Sequence, residues 1–268
     1  MLSETLTGLS VYRRVPGTLL KYGLWPYQFL PAIMSLVLTI GLLVGFYFAA
    51  HGTTAWLDGL VNLRIEWLDK TVNAGIWILT FLALLAAFFF VHKHLVLIVL
   101  SPFLGKIAEE TVKAVKGEAY AQSQLTFTQS LARSTWVNLH YFVRELLTNL
   151  LFLLCGVVPV IGSVVSAVGM FATQSKFLGY GLMDFPLEHR GFGRRESDRF
   201  VRSHRGVSIG LGAGYLLLML IPFIGWMFAP TFGTVAGTLK ALDLLDDEAK
   251  TGAPGSPDEV GARPQGGG

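Results

Sequence analysis

Two four-residue runs, Pro159-Val-Ile-Gly162 and Pro222-Phe-Ile-Gly225, break two long apolar stretches, 146–172 and 207–239, near their middles. A helix that restarts after such a break presents backbone N–H groups without intrahelical acceptors, and the positive end of its dipole. Both stabilise an anion. After the first break, the hydroxyls of Ser163 and Ser166 add donors; after the second come Trp226, Met227 and Phe228, which add no hydroxyl. The first turn reads either as an anion site or as a structural reversal with a satisfied backbone, and the second reads as a reversal. Arg144 and Glu145 stand where the first apolar stretch begins. Charge there is ordinary at the headgroups, and expensive if immersed, where it marks a gate or substrate path. Asn138, His140 and Asn149 could line such a path, and helix-contact hydrogen bonds explain them equally well.

Other chemistry finds less support. Adjacent helical positions face different ways, so His92-Lys93-His94 does not read as a metal site. It reads instead as a basic group snorkelling to the interface at the inner end of a span. His189 and His204 lie in a basic loop without a companion cysteine, and no metal spacing is seen. The single cysteine, Cys155, lies in an apolar arm and allows no intrachain disulfide. Glycines 206, 210, 212 and 214 lack the Gly-Lys-Ser/Thr of a phosphate loop and fit close helix packing. Asp184-Phe-Pro186 reads as a helix end at the surface. With no nucleophile elbow, zinc-protease helix or ATP signature, the chain is expected to be no enzyme and to need no cofactor or metal. A membrane-embedded enzyme built around Arg144, Glu145 and Asp184 is the weakest alternative.

The elements that must carry these residues follow from composition. Of 268 residues, 52% are apolar and 15% charged, with a mean hydropathy of +0.54, which points to an integral membrane protein. Unbroken spans are predicted over Tyr27–Ala50 and over 72–100, the latter as a core from Val72 to Val91 with an extension to Leu100. The first 26 residues, including three basic ones, precede a run too long for a cleavable signal. The broken stretches leave arms of about 13 to 15 residues, or about 20 Å of helix, against about 30 Å of bilayer hydrocarbon. Re-entrant hairpins are therefore expected, and paired interrupted segments point to a transport site.

Charge supports the same topology. Lys and Arg number three before the first span, two in 51–71, five in 101–144 and seven in 176–205. Basic loops stay inside, so the N-terminus, 101–144 and 176–205 should be cytoplasmic. A hairpin crossing zero or two times keeps 176–205 there, whereas a single crossing would not; the count fits re-entrant arms and two tight full spans alike. The net charge of +3 suits anionic lipid and calls for no nucleic-acid partner. A separate amphipathic helix is predicted after Ser101-Pro102, ending at Gly117 with a Glu109–Lys113 pair, and another over Leu125–Leu139. Gly, Pro, Ser and charge dominate from 248 to 268, which reads as a disordered tail after a 1–247 membrane domain.

Several pieces, in order, carry a resemblance: Pro102-Phe103 with Ala108-Glu109, the Pro159–Gly162 turn, Tyr180-Gly-Leu-Met-Asp184-Phe-Pro186, and Ile221-Pro222 with Pro230 and a Gly-Thr-Val-Ala-Gly run. Over about residues 8–245 the chain resembles the CysZ sulfate-permease family, which shares a domain with the etoposide-induced endoplasmic-reticulum membrane proteins. The resemblance implies an all-α inner (plasma) membrane protein, multi-pass with cytoplasmic termini, made of two full transmembrane helices plus two Pro/Gly-broken re-entrant hairpins. It further implies homo-oligomeric assembly and uptake of a small inorganic anion, sulfate. Relatives carry a Gly-Leu-Arg-Arg-like run implicated in sulfate binding, and here those positions read Gly23-Leu24-Trp25-Pro26. Both arginines are absent. Arg13, Arg14 and Lys21 lie upstream and either supply the charge or anchor the surface to lipid headgroups. The alternative function is a non-transporting scaffold or envelope-assembly protein of the same fold.

Overall fold

A computed structural model describes residues 1–60, 66–120, 127–156 and 161–251. The expectations for Pro159 and for the tail beyond 251 lie outside the described residues. Those residues form helices and no strand: α1 (Leu2–Ser10), a 3-10 turn (Val11–Arg14), α2 (Val15–Lys21), α3 (Pro26–Leu60), α4 (Glu66–Lys116), α5 (Phe127–Cys155), α6 (Ile161–His189), α7 (Arg194–Ser203), α8 (Arg205–Met219) and α9 (Ile224–Thr251). A short 3-10 turn, Glu118–Tyr120, follows α4.

The helices run longer than the sequence suggests. α4 spans 51 residues and passes through Pro102 unbroken, so the amphipathic segment is its distal end and not a separate helix. Proline removes the N–H that would bond the carbonyl four residues back, here that of Ile98. The Ser101 hydroxyl donates to that same carbonyl at 2.9 Å, so the helix loses no partner. The same repair occurs in α9, where Pro230 frees the Trp226 carbonyl and Ser35 of α3 donates to it at 2.6 Å. The distal part of α4 matches its pattern: Lys113 pairs with Glu109 at 2.6 Å, and Gly117 ends the helix with φ +92°.

The hairpin arms also differ from expectation. α5 joins the predicted 125–139 helix to the first arm, and α5, α6 and α9 are 29, 29 and 28 residues long; only α8, at 15, is short. The apolar arms are thus the ends of longer helices whose other halves pack in the body. α9 also continues through 248–251, into the predicted tail.

The core lies where α4, α6, α8 and α9 meet, with Leu100, Leu104, Leu182, Leu187, Leu211 and Leu245 fully buried. α8 is clamped between α1 and α6. Its glycines allow this: a Cβ on Gly212 would stand 1.8 Å from the Ser175 carbonyl oxygen, and one on Gly179 1.9 Å from that of Ser208. Outside this core much of the surface is apolar, with Ile33, Val37 and Val44 of α3, Leu147 and Leu151 of α5 and Val168 of α6 all exposed. A surface of that kind is covered by lipid or protein. Among the described residues, one segment, Pro26–Thr53, is long and apolar enough to cross a membrane, with mean hydropathy 2.3.

Candidate functional site

The N-terminal candidates take separate positions. Gly23 (φ +64°) closes α2, with the Leu24 N–H reaching back to the Leu19 carbonyl at 3.0 Å, and Leu24 itself is buried. Trp25 turns inward, its ring edge-on to Phe228 and Phe232 at 6.4 and 6.2 Å, and Pro26 opens α3. Arg14 pairs with Asp243 of α9 at 2.6 Å, Arg13 is exposed, and the Lys21 ammonium lies 5.0 Å from the Tyr22 ring centre.

Of the first turn, Gly162 is buried in the opening turn of α6, and the Ser163 side chain lies outside the described residues. The Ser166 hydroxyl is directed along its own helix to the Met170 sulfur at 3.8 Å, not to the turn. The second turn is a reversal whose N–H groups are taken: Gly225 donates to the Ile221 carbonyl at 2.9 Å, Ile224 to that of Pro222 at 2.7 Å, and Met227 to that of Phe223 at 2.9 Å.

Arg144 and Glu145 part company. An α-helix turns about 100° per residue, so the two side chains leave α5 on different faces. Glu145 is fully buried: one carboxylate oxygen takes the Lys93 ammonium and the other faces His94 Nε2 at 3.0 Å. Lys93 is 1% exposed, which overturns the snorkelling reading of 92–94. Nor does this group stand at the end of a span. His92 Nε2 meets the hydroxyl of Thr39, midway along the apolar Pro26–Thr53 segment, at 2.7 Å.

These contacts belong to a buried polar column crossing α3, α4, α5 and α9. Gln28 accepts from Thr231 at 3.3 Å, and Ser35 and Thr39 hold the Trp226 carbonyl and His92. Asn149, one turn beyond Glu145, is also buried. Its Oδ1, with His92 Nδ1 and His94 Nδ1, has no hydrogen-bond partner among the described residues. A buried unpaired polar atom is costly unless water or a solute reaches it.

On its other face, Arg144 is exposed. Aromatic contacts fix its surroundings: the Tyr141 ring stands 5.8 and 5.6 Å from those of Phe177 and Tyr180, and the Tyr141 hydroxyl donates to Asp198 at 3.4 Å. Ser208 of α8 donates to the Lys176 carbonyl at 3.1 Å. Lys176 thereby lies within electrostatic reach of Arg144, Arg202 and Arg205. Asp198 is paired to Arg202 at 2.7 Å, while Arg144 and Arg205 form no ion pair among the described residues.

A third polar group braces the body. Arg133 bonds Asp184 at 3.0 Å, the Phe192 carbonyl at 2.7 Å and Ser197 at 3.1 Å, with Glu188 at 3.4 Å. Asp184 is thus buried in mid-α6 and does not end a helix at the surface; α6 continues through Pro186 to His189, which bonds the Gly105 carbonyl at 2.8 Å. Among the described residues no group of three His, Cys, Asp or Glu is placed to hold a metal ion.

Sequence reasoning missed the Lys93–Glu145–His94 group. The available signal was a lysine embedded between two apolar runs of one helix and a glutamate heading another apolar run, with no way to see that they meet.

Residues 12–230 match the family described as sulfate transporter CysZ/etoposide-induced protein 2.4. Curated relatives named sulfate transporter CysZ are similar at low identity. That of Pseudomonas fluorescens is 27% identical over 244 residues, covering 88% of this chain and 91% of the relative. That of Pectobacterium atrosepticum is 23% identical over 78% of this chain and 74% of its own. One from Vibrio cholerae is 22% identical over 78% and 82%.

Proposed function

Because the chain belongs to the sulfate transporter CysZ/etoposide-induced protein 2.4 family, we propose that it is a membrane permease passing a small oxyanion, with sulfate as the favoured substrate. The observation that carries this reading is Lys93, a buried cation level with the middle of the apolar segment and held by one carboxylate. Ionisable groups at such depth are expensive and are retained where a substrate or ion must pass. The basic face at Arg144, Lys176, Arg202 and Arg205 raises the local anion concentration. An oxyanion entering beside Lys93 then replaces Glu145 as its partner.

The two arginines that relatives carry are replaced by Trp25 and Pro26, with Trp25 in an apolar contact. In this chain the charge work therefore falls to Lys93 and the basic face, with Arg13 and Lys21 at the rim. In the membrane, α3 and the apolar part of α4 cross, while the α5–α6 and α8–α9 hairpins dip in from the cytoplasmic side with both termini there. Their exposed apolar faces are covered by lipid and by further copies of the chain.

Radiolabelled sulfate uptake into proteoliposomes tests this. Saturable uptake above that of empty vesicles is expected. Flux equal to that of empty vesicles, for sulfate and for other small oxyanions, overturns it and leaves a scaffold of the same fold.

A further inference from the structure

Beside the basic face lies an open cleft of about 370 Å³ between α5 and α7, lined by Trp136, Val137, His140, Tyr141, Arg194, Arg195 and Asp198. Neither the uptake reading nor the family's printed description uses it. We propose that this cleft seats the phosphate-bearing headgroup of an anionic phospholipid, whose acyl chain lies along α5.

Charge is the first reason. Arg194 and Arg195 are exposed and form no ion pair among the described residues. The carboxylate of the cleft, Asp198, is already engaged by Arg202 at 2.7 Å and by the Tyr141 hydroxyl at 3.4 Å. Two uncompensated guanidiniums match a phosphodiester with a net negative charge and leave a zwitterionic headgroup's own cation opposed.

The second reason is the wall beside the cleft. Trp136 is exposed at its rim, with the Arg194 guanidinium 5.7 Å from its ring centre. From there Leu139, Val143, Leu147, Leu150 and Leu154 continue at three- and four-residue spacing, all exposed. That stripe on one face of α5 runs about 22 Å from Leu139 to Leu154, more than half of the bilayer's hydrocarbon and long enough to line one acyl chain. A free oxyanion would need the guanidiniums and not the stripe. A tryptophan at the junction suits the headgroup level, where its ring is half apolar and its N–H is wet. The pairing of cleft and stripe therefore favours a lipid.

The test uses full-length protein in detergent, stripped of co-purified lipid. It is titrated with a phosphatidylglycerol brominated on its acyl chains and, separately, with the matching phosphatidylcholine, reading quenching of tryptophan fluorescence. Saturable quenching by phosphatidylglycerol is expected at well below the phosphatidylcholine concentration. Trp136→Phe should remove most of the quenched component. Arg194→Gln/Arg195→Gln should erase the preference, about tenfold or more if each basic residue contributes its usual share near an anionic surface. Lys250→Gln/Arg263→Gln removes the same charge elsewhere and should leave the preference in place, and millimolar inorganic phosphate should not reverse the quenching. Equal affinity for the two lipids, quenching indifferent to Trp136→Phe, or the same loss in Lys250→Gln/Arg263→Gln overturns the site. Full reversal by inorganic phosphate reassigns the cleft to a free oxyanion and likewise overturns the lipid assignment. Each readout is independent of sulfate flux, so the site can stand or fall apart from the uptake reading.

Discussion

Arg144 and Glu145 are consecutive in sequence and inhabit opposite environments. On the Glu145 side every charge is buried and answered, with Lys93 and His94 each on one carboxylate oxygen. On the Arg144 side cations from α5, α6, α7 and α8, exposed or half-buried, gather around Asp198. The proposed uptake gives the two sides different tasks. Surplus exposed charge attracts anions at little structural cost, whereas a closed buried pair is costly to open and so can discriminate at the narrow point of a path.

The largest effect should come from opening the buried pair on one side. Lys93→Met or Glu145→Leu alone leaves an uncompensated buried charge and should cost about 3–5 kcal/mol, while the double variant should recover most of that. Thermal unfolding of the purified variants would show it; single variants as stable as the double would erase the contrast between the two faces. Next, Gly212→Val drives a side chain into the Ser175 carbonyl, 1.8 Å from the new Cβ, and should cost about 1–3 kcal/mol by separating α8 from α6. Because α6 and α8 carry Lys176 and Arg205, the variant should also lower uptake, read in the same proteoliposome assay.

A smaller effect is expected at the exposed face. Arg144→Gln should change stability by no more than about 0.5 kcal/mol yet slow uptake at low salt, the difference shrinking as ionic strength rises. A salt-independent defect would place Arg144 in the path itself.

Smallest is the ion-pair network at the C-terminal end of α4. Partial burial pushes the Glu109 carboxyl up, but hydrogen bonds from Lys113 and Lys106 outweigh it and hold it below the usual carboxylate range. Its folded value is lower than its unfolded one, so its stabilisation is present above the unfolded value and is lost as pH falls through the folded one. The hydrogen bond to Glu109 raises Lys113, whose contribution is lost only as pH climbs past the usual lysine range. Glu109→Gln should lower stability at neutral pH by less than about 1 kcal/mol and by less still in strong acid, measured as melting temperature against pH.

How much of this was legible depended on whether a signal was local. The helical class, the apolar segment after Pro26, the Glu109–Lys113 pair and the packing role of the glycines near 206–214 depend on neighbours within a few residues and could be read directly. The lengths of α4 and α6 could not, because Pro102 and Pro186 look like helix ends. Ser101 repairs the carbonyl freed by Pro102, and Asp184 is held inside α6 by Arg133, on α5. The buried column was hidden for the same reason: Lys93 and Glu145 are 52 residues apart, and nothing near either one announces the other. The basic residues from Arg194 to Arg205 were visible as a run, whereas the cleft they line with Trp136 and His140 requires the fold.

The decisive measurement is sulfate uptake by proteoliposomes holding either the native chain or Lys93→Met/Glu145→Leu, both first shown to be folded by melting temperature and gel filtration. If the buried pair lies on the path, the native chain shows saturable uptake and the folded double variant loses it. Equal uptake by the two would contradict a route through Lys93 and Glu145.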